Sequence, residues 1–400
     1  MQIKLKTDKE IAEKYILFSI AYFPWLISWM FTSSYFKSYI HPYAIIRVWQ
    51  CVGTVFLALK IFKSRVWNRW LFFVGIGILI IGGNVSYKNE NASFIFYTLL
   101  LIVSSYDLDI RWIIKKTMLC QIYVVGGIVA SSMIGVIPNV TSISQAGGFL
   151  REREGLGFTF ATFAPNYFLS IAIEWLFLNK TKSNVVFCIQ EIIIVIIDLF
   201  LYDRTGTRTT FFLVMCIVLI SLIERINKSR KIFFEVLMKF FIENIYILAS
   251  ATMIALSVFY SSSIGWMENL NNALSQRLIL SQRGLFEWGV SWFGKSVLWK
   301  TNASEYNYID SSYINILICY GLIIFVIVVV GFSITAKYAC RIKDYKLATA
   351  LFIWAIRAMI DPQLFLMWFN PFVFYVAAAI FNQLKTIGVK RKYVISDLSL

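Results

Sequence analysis

Arginine is the residue type whose placement in this sequence asks for chemistry. Arg151 and Arg153 stand in Arg-Glu-Arg-Glu-Gly-Leu-Gly-Phe (151–158), Arg204 and Arg208 in Asp-Arg-Thr-Gly-Thr-Arg-Thr (203–209), and Arg277 and Arg283 in the polar segment 261–311. A guanidinium offers a planar fork of donors that matches phosphate oxygens, and it stays charged in a partly dehydrated site where lysine gives up its proton. The pattern fits a diphosphate. Arg151, Arg153, Arg204, Arg208, Arg277 and Arg283 are, as a group, the candidates for holding it. For any one arginine taken alone, pairing with Glu152, Glu154, Asp203 or a lipid headgroup is the competing explanation.

A carboxylate beside a bound diphosphate would be placed to act as a base towards a hydroxyl within hydrogen-bond reach. Asp310, Asp203 and Glu152 are available. Asp310 is preferred because it stands where the long polar segment re-enters an apolar run, although capping the next helix would also explain it. Asn166 and Tyr313 are candidates for orienting sugars or phosphates, and Gly155 and Gly157 for a tight turn or close backbone approach. The single histidine, His41, lies beside Pro42. Cys51, Cys120, Cys188, Cys216, Cys319 and Cys340 show no metal-ligand or redox spacing, and there is no Walker or Rossmann glycine pattern. No metal and no cofactor are therefore expected.

The elements that must position these residues are written in the composition. Of 400 residues 59% are hydrophobic and 15% charged, with a mean hydropathy of +0.69, which is the membrane class. The apolar runs are continuous rather than alternating, which excludes a lipid-facing barrel and predicts an all-α polytopic protein. About twelve spans are expected, at 15–36, 43–62, 70–85, 93–106, 117–137, 159–178, 185–201, 209–223, 241–260, 312–332, 346–361 and 365–383.

Basic residues in short loops set orientation. They precede the first span (Lys4, Lys6, Lys9, Lys14), and no small-residue cleavage site follows, so that span reads as an uncleaved anchor. They recur at Lys63, Arg65 and Arg69; at Arg111, Lys115 and Lys116; and at Lys180 and Lys182. Further on come Arg225, Lys228, Arg230, Lys231 and Lys239, then Lys337, Arg341, Lys343 and Lys346, and finally Lys385, Lys390, Arg391 and Lys392. Both termini are then cytoplasmic, and segments 138–158, 202–208 and 261–311 face outward from a single membrane domain spanning 1–400. The net charge of +16 is mostly topogenic and too dispersed for a nucleic-acid surface.

Trp25, Trp29, Trp67, Trp70, Trp112, Trp266, Trp299 and Trp368 fall near predicted span ends, as an interfacial belt would. Trp266, Leu270, Leu274 and Leu278 predict an amphipathic helix lying in the interface plane. Arg47, Lys60, Arg357, Glu174, Glu191, Asp198 and Asp361 are ionisable groups inside or at the ends of spans, where they either snorkel or serve function.

Arg151 to Asn166 resembles the Arg-x-x-x-Gly-Phe…Pro-Asn segment of the O-antigen ligase and polymerase superfamily. Thr205-Gly206-Thr207-Arg208-Thr209 is similar to its Thr-Gly-Ser-Arg-Thr element, with Thr207 in place of serine. Asp310-Ser311-Ser312-Tyr313, followed by Gly321, resembles its Asp-x-x-Tyr…Gly exit into a span. The stretch between Gly157-Phe158 and Pro165-Asn166 is longer than the family pattern, and the large loop lacks the histidine typical of ligases. The resemblance implies a GT-C-like polymerase of capsule, exopolysaccharide or O-antigen repeat units in a bacterial inner or plasma membrane. Its substrates would be an undecaprenyl-diphosphate-linked donor and acceptor amid membrane lipids. Its protein partners would be a flippase and a chain-length regulator, with 261–311 as catalytic loop. A ligase of the same superfamily and a polysaccharide transporter or flippase are the alternatives.

Overall fold

A computed structural model describes residues 8–63, 69–146, 149–226, 231–300 and 306–380. Lys4, Lys6, Arg65, Trp67, Lys228, Arg230, Lys385, Lys390, Arg391 and Lys392 lie outside the described residues.

Among the described residues the regular structure is helical apart from one hairpin. Helices α1 (Asp8–Thr32), α2 (Lys37–Ile40), α3 (Pro42–Lys63), α4 (Arg69–Lys88), α5 (Ile95–Ser104) and α6 (Ile110–Met133) lead to strands β1 (Thr141–Ala146) and β2 (Phe149–Glu154). Next come α7 (Phe163–Leu178), α8 (Asn184–Thr205), α9 (Arg208–Ile226), α10 (Lys231–Val258), α11 (Gly265–Ala273) and α12 (Arg277–Trp288). The last are α13 (Ser312–Asn315), α14 (Gly321–Arg341) and α15 (Tyr345–Arg357). A π-helical turn, Ile316–Tyr320, joins α13 to α14.

Among the described residues seven helices are long and apolar enough to cross a membrane, and Phe73–Lys88, Glu90–Ser104, Phe163–Leu178 and Pro371–Ile380 are shorter apolar helices. The chain is therefore a helical, membrane-embedded protein. Several expected spans shift, and two of the shifts have clear local causes. The run 117–137 is part of a helix that starts at Ile110, because Arg111, Lys115 and Lys116 are good helix formers and extend it. The run 365–383 is not one helix. Residues 361–370 form turns between Pro362 and Pro371 before the helix resumes, as expected where proline removes backbone donors.

Two compact units make up the chain. Among the described residues the first comprises 8–58, 111–238 and 366–371, and the second 59–110, 239–365 and 372–380. In the first unit the inserted segment 366–371 explains the broken helix. Trp368 stacks on Trp29 at 4.4 Å, Phe369 stacks on Tyr167 at 4.1 Å, and Gln121 donates to the Trp368 carbonyl at 3.1 Å. Trp25 and Trp368 are thus core residues, 0% and 7% exposed, rather than parts of an interfacial belt.

In the second unit Tyr246 packs on Phe332 at 4.8 Å and donates to the Leu351 carbonyl, while Tyr313 donates to the Ala355 carbonyl. These bonds tie α10, α13 and α15 together. A wholly apolar cavity of about 270 Å³ opens among Val74, Leu99, Val103, Ile327, Phe365 and Val376.

Candidate functional site

In the first unit β1 and β2 pair antiparallel with Arg153 opposite Ser142 and Arg151 opposite Ser144. Residues two apart on a strand share a face, so Arg151 and Arg153 project together. Their target is the end of α8. That helix begins at Ser183, whose side chain caps the Val186 amide, and stops at Gly206, whose left-handed φ of 65° turns its N–H back onto the Tyr202 carbonyl. Helix ends leave carbonyls without intrahelical partners, and these carry partial negative charge.

Both arginines are used there. Arg151 donates to the Tyr202 carbonyl at 3.4 Å and lies over the Tyr202 ring at 4.9 Å. Arg153 donates to the Thr205 carbonyl at 2.7 Å and to the Thr207 hydroxyl at 3.2 Å. A side chain at position 206 would meet Arg151, since a Cβ there would sit 2.9 Å from its Nε. The glycine of the Thr-Gly-Thr-Arg stretch therefore serves both the turn and the arginine above it.

Arg204 pairs with Glu154 at 2.9 Å, near the more exposed Asp203. Burial works against the charge on Glu154, but hydrogen bonds from Asn139 and Arg204 outweigh it and hold the carboxyl below its usual range. Arg208, the first residue of α9, is exposed and lies beside the Tyr202 phenol. The first unit thus gathers Arg151, Arg153, Arg204 and Arg208 around one turn, with Glu152 and Asp203 exposed at its margin.

Asn166 and Gly157 support this turn. Asn166 is buried and accepts from Thr210 at 3.1 Å, tying α7 to α9. Gly157 has φ 83°, and a Cβ there would lie 2.8 Å from Ile137 and 3.0 Å from the Ile128 carbonyl, so it fits a tight exit from the hairpin.

The second unit holds the other site. The expected single amphipathic helix is two helices, because Ser275 and Gln276 both adopt positive φ between α11 and α12. Asn271 organises the break, accepting from the Leu278 and Ile279 amides at 3.2 Å each. This arrangement buries Leu278 and leaves Trp266 exposed, so the four-residue stripe is not one face.

Arg277 is the first residue of α12, the end of a helix where the dipole disfavours a cation. Its counter-charge is Asp310, 3.3 Å from Nε, and its Nη1 donates to the Leu274 carbonyl at 3.2 Å. Both partners are about one-fifth exposed. Burial raises the Asp310 carboxyl, Arg277 pulls it back, Asp361 adds like charge, and the result is about 6. Arg283, six residues along α12, is exposed on another face. Tyr313 is fully buried, with its hydroxyl on the Ala355 carbonyl, which is a packing role.

Arg357 and Asp361 join this site. Arg357 is 0% exposed, donates to Gln363 at 2.9 Å and lies 3.4 Å from Asp361, while Nε and Nη1 have no hydrogen-bond partner among the described residues. The charge of Arg357 acts on Arg277, and that of Asp361 on Asp310. Both residues are visible in the sequence as ionisable groups in an apolar stretch, and their i, i+4 spacing was the signal that they pair. Lys60, flagged for the same reason, is satisfied by Asp107 and the Ser104 carbonyl, while Glu191 accepts from Ser221 at Oε1 and its Oε2 has no hydrogen-bond partner among the described residues.

Comparison with known protein families, with curated proteins and with solved structures gives no match in any of the three.

Proposed function

We propose that this chain is a glycan polymerase of a bacterial inner or plasma membrane, with about twelve spans in a GT-C-like arrangement and both termini cytoplasmic. In this proposal it moves a growing glycan from undecaprenyl diphosphate to the next lipid-linked repeat unit at the outer leaflet. The observation that carries the proposal is the Arg277–Asp310 pair, a cation and a carboxylate 3.3 Å apart and both partly exposed. The carboxyl, raised to about 6, is poised near neutral pH, where a general base works best.

In the reaction an acceptor hydroxyl oxygen forms a bond to the donor's anomeric carbon, and the bond from that carbon to the diphosphate oxygen breaks. Asp310 takes the hydroxyl proton. The electron pair leaves with undecaprenyl diphosphate, whose charge Arg277 meets. Fixed donors aimed at developing charge are worth most where water is scarce. In the first unit the exposed Arg208 is the guanidinium left to meet a diphosphate. The apolar cavity of the second unit suits a hydrocarbon chain. Membrane lipids, a flippase and a chain-length regulator are the proposed surroundings.

The test is elongation by the purified protein in nanodiscs supplied with lipid-linked repeat units. Longer glycans made by the wild type and not by Arg277→Ala support the proposal. Transfer only to lipid A or wall polymer would make it a ligase, and flux across a liposome membrane without bond formation would make it a transporter.

A further inference from the structure

The apolar span Ser312–Arg341 of the second unit is interrupted. Gly321 adopts a positive φ of 87°, so α14 starts afresh there, and the amides of its first turn lack intrahelical partners. At about 1.5 Å per residue, Leu322 and Ile323 lie roughly 21–22 Å from Lys337, a basic residue near the far end of α14. A hydrocarbon core is about 30 Å thick, so these two amides stand at membrane depth, where an unpaired one is costly.

Their partners come from the segment that follows α12. The Ser291 carbonyl accepts from the Leu322 amide at 2.9 Å and the Trp292 carbonyl from the Ile323 amide at 3.3 Å. The Lys295 amide donates to the Ile318 carbonyl of the π-helical turn at 3.0 Å. Gly294 permits this approach, since a Cβ there would collide with the Cys319 carbonyl. Carbonyls of the segment are served in turn from the loop between α4 and α5: Asn89 donates to Lys295 at 2.8 Å and Asn91 to Val297 at 2.7 Å. Irregular backbone is tolerated at membrane depth only where protein satisfies its polar groups, and these bonds do so.

The side chains of the segment that face away from the protein are apolar. Val290, Trp292 and Leu298 are 48%, 65% and 82% exposed. Lys88, the last residue of α4, lies over the Phe293 ring at 5.3 Å, and Lys295 donates to the Trp288 carbonyl. Tryptophan and aliphatic side chains flanked by lysine suit the boundary between headgroups and acyl chains. A side chain projecting from backbone bonded to α14 at this depth meets the bilayer around α14.

We propose that residues 290–298 form a membrane-seated strap that caps α14 and is covered by lipid, with Val290, Trp292 and Leu298 at the headgroup–acyl boundary. The strap follows α12, so it also fastens to the bilayer the helix that carries Arg277. It is independent of the reaction proposed above.

The test is photo-crosslinking of the full chain in nanodiscs of phosphatidylethanolamine and phosphatidylglycerol, with p-benzoylphenylalanine at one position at a time and adducts identified by mass spectrometry. Ile192, 56% exposed on α8, is the lipid-facing reference, and Glu152, exposed on the hairpin, the aqueous one. Positions 292 and 298 should give acyl-chain adducts in yields within about threefold of position 192 and about tenfold above position 152, the contrast between hydrocarbon and water. No lipid adducts at 292 and 298 while 192 gives them, or adducts to a second copy of the chain in their place, would overturn the inference. Hydrogen exchange reads the cap separately. Gly294→Ala, which pushes the strap off the π-helical turn, should speed exchange in the peptide bearing Leu322 and Ile323 and reduce the lipid adducts at 292. A folded Gly294→Ala protein with both unchanged would overturn the seat of the strap on α14.

Discussion

The arginine clusters of the two units look alike in sequence and differ in what their guanidiniums are bonded to. In the first unit Arg151 and Arg153 donate to carbonyls at the end of α8, and Arg204 pairs with Glu154, so much of the positive charge holds a hairpin against a helix end. In the second unit Arg277 faces Asp310 beside Asp361 and Arg357, a balanced set of charges with unused donors on Arg357. The number of arginines in a segment is thus a poor measure of anion-binding capacity. What counts is how many of their donors remain after the protein's own carbonyls are served, because an engaged guanidinium has fewer to offer a ligand.

This comparison predicts a graded series of variants. Asp310→Asn should reduce elongation by roughly 10²–10⁴-fold, the usual contribution of a general base, with the helical circular dichroism signal intact. The wild-type rate should rise with pH through about 6, because Asp310 accepts a proton only when ionised. A flat acid side would remove Asp310 from that role. Arg208→Ala should lower elongation by roughly 10²-fold without lowering the melting temperature, since Arg208 is exposed. A drop in melting temperature with full activity would instead assign Arg208 to the scaffold.

Arg153→Ala should show the opposite balance, costing about 1–2 kcal/mol of stability through its lost carbonyl bonds, measured by thermal unfolding in detergent. Gly206→Ala should fall in the same range, about 1–2 kcal/mol, because an alanine there adopts a left-handed backbone and crowds Arg151. Glu154→Gln should be the mildest change, within about 0.5 kcal/mol, since the partly exposed pair with Arg204 is screened by solvent. A larger loss would show that this ion pair, rather than the carbonyl bonds, holds the hairpin.

Much of the fold was legible because continuous apolar runs in a chain of this composition can satisfy their backbone groups within a bilayer only as helices. The exceptions have local causes. The run 365–383 was broken by turns between two prolines and by Trp368 and Phe369 packing into the first unit, a contact that hydropathy does not register. The stripe from Trp266 to Leu278 was split at Ser275 and Gln276 because Asn271 reaches forward to cap α12. The hairpin leaves no strand signal in the sequence, since its polar residues Thr141, Ser142 and Arg153 carry no apolar alternation.

The candidate sites were legible to the same degree. The identities of Arg151, Arg208, Arg277 and Asp310 could be picked out because charge is rare in this chain, 15% of residues, and each charged residue away from the basic loops needs a reason. Arg357 and Asp361 could be seen as a pair four residues apart, but nothing in their spacing ties them to Asp310, nearly fifty positions earlier in the chain.

That the chain is helical and membrane-embedded follows from local composition and period, and both are properties of the sequence. It also determined which few residues carry charge outside the basic loops. That Arg151 and Arg153 bond to carbonyls at a helix end while Arg277 meets Asp310 is a matter of the folded chain. Hydrogen bonds and ion pairs act over a few ångströms, and only the folded chain brings residues far apart in sequence within that range.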